Sequence, residues 1–134
     1  MTPTAHALVG FISLALFLLV LMEAIRCALV LQGKIAANRF APDNSGLSPF
    51  MQRLARAHAN CVEGLPIFGG LLVFAIVTSK TAATDPTAYL FLAARIFQST
   101  IHLLSTSVMA VNIRFAAFAV QMALGVYWAL QLIG

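Results

Sequence analysis

The stretch ALVGFISLALFLLVLMEAIRCALVL, Ala7–Leu31, is an apolar run broken only by Glu23 and Arg26. A membrane crossing needs about 20 mostly apolar residues, so this stretch sets the reading of the whole chain. No basic segment precedes it, and its pattern continues past any usable signal-cleavage site, so it reads as a retained helix. Working outward, three more apolar stretches follow. Ser48–Ser79 is charged in its first half, Pro86–Val108 carries Arg95 as its sole full charge, and Phe115–Gly134 carries none. All four are long enough to cross a bilayer.

Composition agrees. The chain is 61% hydrophobic and 9% charged, against about 45–50% and about 25% in soluble domains. A soluble domain of this size could not hide so much apolar surface. The sequence therefore predicts one all-α domain over residues 1–134, an integral membrane four-helix bundle running antiparallel, up and down. Its helices are expected roughly at 6–33, 48–79, 86–108 and 113–133. Pro66 should kink the second. The net charge of +4 is scattered among apolar segments and short loops, which does not suit nucleic acid. Cys27 and Cys61 sit in apolar segments without CxxC or CxxH spacing. They read as free, buried thiols, and no metal site is expected.

The loops set the orientation. Lys34–Leu47 contains Lys34, Arg39, Pro42, Asp43, Asn44, Ser45 and Gly46, a loop signal, and Arg53 and Arg56 follow. The third loop, near Ser105–Asn112, leads into Arg114. The opposite side has only Lys80, offset by Asp85. The positive-inside rule then places loops one and three in the cytosol and both termini outside, with a bacterial inner membrane as the expected setting.

Polar residues inside a membrane are costly and face protein or a water-filled cavity. Arg53, Arg56, Asn60 and Glu63 recur at steps of three, four and three, which puts them on one helical face. Arg95, Gln98 or Ser99, His102 and Ser105 form a second stripe. Measured along their helices from the cytosolic ends, Glu63 lies about 22 Å deep and Arg95 about 20 Å deep. They are expected to pair, directly or through a ligand. Lys34, Arg53, Arg56, Arg95 and Arg114 gather toward the cytosolic half, with Glu63 as the main counter-charge. That set suits a ligand with several carboxylates and one amine: arginine forks carboxylates, Glu63 accepts an ammonium, and Asn60 offers donor and acceptor. Glutathione has this inventory, and other zwitterionic anions fit the same physics.

At these residues the chain resembles a known family. Arg53-Leu-Ala-Arg56-Ala-His58-Ala-Asn60-Cys-Val-Glu63-Gly-Leu-Pro66-Ile-Phe68 is similar to the signature of the MAPEG family, membrane-associated proteins in eicosanoid and glutathione metabolism. The pattern RAxxNxxExxPxF is specific, and the chain's length and four helices agree with it. Asn38-Arg39-Phe40-Ala41-Pro42-Asp43 looks most like bacterial members. The resemblance implies a homotrimer with glutathione as co-substrate, bound between subunits near the cytosolic face. It implies transfer of glutathione to lipophilic electrophiles, peroxide reduction, or eicosanoid synthesis.

Carried over by residue, Arg56, Asn60 and Glu63 match the family's glutathione contacts, with Arg53 a basic position one turn earlier. Lys34 falls where members reach into a neighbour's site, and Arg95 matches an arginine within the third helix. Arg114 matches, with a loop-length offset, the arginine held to stabilise the glutathione thiolate. Gln98 and His102 stand where eicosanoid synthases commonly carry tyrosine or histidine, and Gly64 replaces an aromatic of leukotriene C synthase. Both departures argue against an eicosanoid substrate. The mechanism this implies is thiol activation. A free thiol has a pKa of about 8.5, and a guanidinium beside the sulfur in a dry site favours the anion. Arg114 is the expected catalytic group, with His102 or Ser105 as a second donor to sulfur and both Gln98 and His102 among the glutathione contacts. The partners expected are a lipophilic electrophile, membrane lipid and further copies of the chain.

Plainer readings compete. Arg53 and Arg56 would serve as snorkelling anchors, and His102 as a hydrogen-bonded packing residue. Glu23 and Arg26 would pair or line a trimer axis. Gly69-Gly70 would permit close packing, and Tyr127 and Trp128 would form an interfacial belt. Two other functional classes also fit: a non-catalytic glutathione- or lipid-binding scaffold, and a small proton-coupled multidrug exporter using Glu23.

Overall fold

In the computed structural model, which describes residues 1–134, the four apolar runs are four helices and there are no strands. Helix α1 spans Pro3–Leu31. Thr2 caps it by accepting the amide of Ala5 at 3.1 Å, and Pro3 opens the first turn, where its missing N–H is not needed. It ends in a left-handed turn at Gly33 (φ 71°), with Gly33 N–H donating to Val30 and Lys34 N–H to Leu29.

Helix α2 spans Pro49–Val77, capped by Ser48. Its middle carries a π-helical turn over Leu65–Gly69. Pro66 has no N–H to give the regular ladder, and the widened turn absorbs that loss. Helix α3 spans Asp85–Leu104 and helix α4 spans Val108–Ile133. The last connection is shorter than the sequence suggests. Ser105 is extended and Ser107 caps α4 by accepting from Ala110 at 3.2 Å. Val108–Asn112 is therefore helical, and Arg114 stands in the second turn of α4.

Contacts between helix ends give the topology. Thr4 N–H, in α1's first turn, donates to Asp85 at α3's start (3.0 Å). Arg53, near α2's start, donates to the carbonyl of Leu103 at α3's end (2.8 Å). Lys80, just after α2, donates to Leu132 at α4's end (3.2 Å). Trp128, late in α4, donates to Thr87, early in α3 (2.8 Å). The helices thus alternate up and down.

The core is aromatic. Phe91 meets Phe11 edge-on and Phe68 and Trp128 at a tilt, at centroid distances of 5.7, 5.1 and 5.2 Å, and each such pair contributes about 0.5–1.5 kcal/mol beyond its buried area. Gly125 lets Phe68 approach, since a Cβ there would lie 2.9 Å from the ring. Trp128 is fully buried in this cluster and belongs to no interfacial belt; Tyr127 alone of that pair is exposed. Cys61 is buried as expected, whereas Cys27 is exposed on α1.

Helices α1, α2 and α4 are each long and apolar enough to cross a membrane. Only 22% of α1's most apolar window is buried. An outward apolar face of this extent is untenable in water and required in lipid, so the chain is an integral membrane protein. Helix α3 does not meet that measure because Arg95, Gln98, Ser99 and His102 are on it. All four are buried inside the bundle, where protein and not lipid receives them.

Candidate functional site

The two polar stripes meet between α2, α3 and α4. A cavity of about 270 Å³ is lined by Arg56 and Asn60 of α2, Gln98 and His102 of α3, and Val111, Arg114, Phe115 and Phe118 of α4. The only ion pair in the chain is Glu23–Arg26, so both arginines of this polar cup are unpaired. The Nε2 of His102 is buried with no partner.

Beneath the cup lies a network of side-chain amides. Asn60 Oδ1 accepts from Arg95 Nη1 at 2.7 Å and from Gln98 Nε2 at 3.2 Å. Gln98 Oε1 accepts from Gln121 Nε2 at 2.7 Å. Arg95 is fully buried. Its guanidinium lies 5.0 Å from the centroid of Phe11 and 6.0 Å from that of Phe118. Gly64 makes room for it, because a Cβ at that position would be 3.1 Å from Nη2. The Nε and Nη2 of Arg95 have no acceptor.

A second cavity of about 700 Å³ adjoins the cup, sharing Asn60 and Phe118 with it. It runs between α2 and α4 past Gly64, Ile67, Leu71, Met122 and Val126, and Glu63 is its one acidic residue. Its wall is apolar and open at the surface of the bundle. The arrangement sets a donor-rich pocket beside an apolar groove, with Asn60 and Phe118 common to both linings.

Several residues expected at the site stand elsewhere. Glu63 makes no direct pair with Arg95; it is exposed along the groove, Asn60 takes the guanidinium, and any link between the two charges would run through a ligand. Arg53 is spent on the last turn of α3, where it satisfies a carbonyl the helix leaves open. Ser105 turns its Oγ to its own loop, accepting from Ser107 N–H at 3.0 Å. Lys34 is exposed after α1 and does not line the cup. Arg26 binds Glu23 at 2.9 Å and Asn44 at 3.0 Å, and lies over Phe40 at 5.5 Å. Asn44 in turn donates to the Met51 carbonyl, so Arg26 ties the first loop to the start of α2. No group of His, Cys, Asp and Glu is arranged to hold a metal.

Gln121, in the amide network, and Phe118, in the shared wall, are not expected from the sequence, because neither carries a charge. Gln121 is seven residues after Arg114, two helical turns on and therefore on the same face. Phe118, on the next turn after Arg114, forms the shared wall of cup and groove.

Fold and site together define an integral membrane helical protein with an arginine-lined pocket beside an apolar groove. The chain belongs to the MAPEG family, whose family model matches residues 6–134. No curated protein and no solved structure matches it.

Proposed function

We propose that this chain is a membrane-bound glutathione transferase, with glutathione-dependent peroxide reduction as a second outlet of the same thiolate. The observation that carries this reading is the adjacency of the cup and the groove, which share Asn60 and Phe118. Arg56, Asn60, Gln98 and Arg114 surround a space for an anionic thiol, and the apolar groove begins at Asn60 and Phe118. Glutathione's carboxylates suit the arginines and the amide donors. Its ammonium suits Glu63, the acidic group next to the cup. Arg114, unpaired and partly buried, stabilises the sulfur anion. A second donor to sulfur falls to His102, which lines the cup, and not to Ser105.

In the transferase reaction the thiol proton leaves to solvent. The thiolate forms a carbon–sulfur bond to an electrophile held in the groove, and the leaving group departs with the displaced electron pair. In peroxide reduction the thiolate attacks the terminal oxygen, and the alcohol leaves after taking a proton. A second glutathione then converts the sulfenic product to the disulfide and water.

Open arginines at the surface of a single bundle suit a homotrimer in which each neighbour closes a cup, with Lys34 reaching across. The basic ends of the helices suit the cytosolic side and an inner-membrane setting. The exporter reading is weakened because Glu23, the carboxylate it requires, is held by Arg26. Purified protein should bind glutathione and conjugate it to a chlorodinitroarene. Binding without turnover would favour the scaffold, and the absence of binding would overturn the proposal.

A further inference from the structure

Gln121 is an unexpected residue to find in α4. It is fully buried, its Oε1 has no partner, and a buried amide left half-satisfied is destabilising. Its orientation is nevertheless fixed. Nε2 donates to the backbone carbonyl of Ala117 at 3.1 Å, and a carbonyl can only accept. The atom of Gln98 that meets Gln121 must then be oxygen, at 2.7 Å. Gln98 consequently turns its NH2 toward Asn60, which must answer with Oδ1. Arg95, a pure donor, holds the same oxygen from the other side.

The consequence reaches the cup. Both N–H groups of Asn60 and one of Gln98 are left uncommitted, and both residues line the cavity. With Arg56 and Arg114 beside them, the amide and guanidinium groups around the cup present donors only. We infer that Gln121 is a positioning residue: with Arg95 holding Asn60 from one side, Gln121 holds the Gln98 amide from the other, so that the cup presents donors and selects acceptor-rich ligands. Without Gln121 the Gln98 carbonyl loses its only donor and the amide is held through Asn60 alone, so the carbonyl turns part of the time to the cup, relaxing discrimination between a carboxylate and a carboxamide. The identity of the ligand rests on the glutathione reading above; the orientation of the amides does not.

The test therefore has two parts. The first needs no ligand. In detergent micelles with glutamine side chains ¹⁵N-labelled, the Gln98 amide protons should show nuclear Overhauser contacts to Asn60 on α2. In Gln121→Glu, whose carboxylate only accepts, those contacts should move to residues 117 and 121 on α4. Should that variant not assemble, Gln121→Leu carries the same readout, with contacts divided between the two helices. Contacts that stay on α2 in a folded variant overturn the inference. The second part is titration with glutathione and its two monoamides. Wild type should prefer glutathione over at least one monoamide by about tenfold, the scale of a charge-assisted hydrogen bond, and in Gln121→Leu that ratio should fall below about threefold. Equal weakening toward all three ligands would show a packing role and overturn the inference. A wild type that binds none of them would instead overturn the glutathione reading, while the amide contacts still decide the role of Gln121.

Discussion

The two ends of this bundle differ in the polar groups that they leave open. At the end where α1 and α3 begin, polar side chains are satisfied within the protein. Thr4 bonds Thr84 at 2.6 Å and Asp85, His6 bonds Tyr89 at 2.7 Å, and Trp128 bonds Thr87. At the end where α2 and α4 begin, Arg26 and Arg53 are also satisfied, but at the cup Arg56 and Arg114 are unpaired, and His102 Nε2 lacks a partner. Hydrogen bonds that hold a fold close on themselves, whereas a binding site keeps its capacity open for something else. The comparison separates a structural end from a chemical end without reference to charge alone.

The comparison makes graded predictions. The largest effect on stability is expected for Asn60→Leu, which strips the acceptor from a fully buried guanidinium. It should cost about 2–3 kcal/mol, the scale of a hydrogen bond to a charged group, read as loss of folded protein in a denaturant titration in micelles. Arg114→Ala should lower kcat/KM about 100- to 1000-fold, the scale of one electrostatic donor to a developing anion. Its melting temperature should hold, because Arg114 has no ion-pair partner to lose. At the closed end the pattern should invert. Trp128→Phe removes one hydrogen bond and should cost about 1 kcal/mol while leaving glutathione affinity unchanged; an affinity change there would break the division between the ends.

The smallest effect concerns the first loop. The backbone amide of Ser45 holds the Asp43 carboxylate below its ordinary value of 3.8. A carboxylate whose folded pKa is depressed stabilises the fold above its unfolded pKa and loses that contribution as pH falls through the folded value. Loop order, followed by limited proteolysis, should persist at pH 5 and decline only below the ordinary aspartate range. Asp43→Asn should remove the dependence.

Much of the fold was legible because each helix is an apolar run with polar punctuation. Asp85-Pro86 marks one start by a rule of local chemistry; Pro3 does the same for α1, whose start is expected from the sequence three residues later, at 6. The start of α4 was not legible in the same way. Asn112 and Arg114 make its first turns look like loop, and the cap at Ser107 is visible only once Ala110 is seen to donate to it.

The site was legible where spacing alone decides it: Arg56 with Asn60 on α2, and Gln98 with His102 on α3. Spacing does not give direction. At about 100° per residue, Arg53 and Glu63 diverge by about 80° around α2. One therefore reaches the end of α3 while the other turns to the groove. Depth placed Glu63 level with Arg95, but depth says nothing of azimuth. Gln121 carries no charge, so its partnership with Gln98 depends on helix packing that no single sequence stretch encodes.

The most direct test of the central claim is an ultraviolet difference spectrum of purified protein with glutathione at neutral pH, recorded for wild type and Arg114→Ala. The account predicts a thiolate band in the wild type that the variant loses while still binding glutathione. A wild type that binds glutathione without forming the band, or a variant that keeps it, would contradict thiol activation by Arg114 in the open cup.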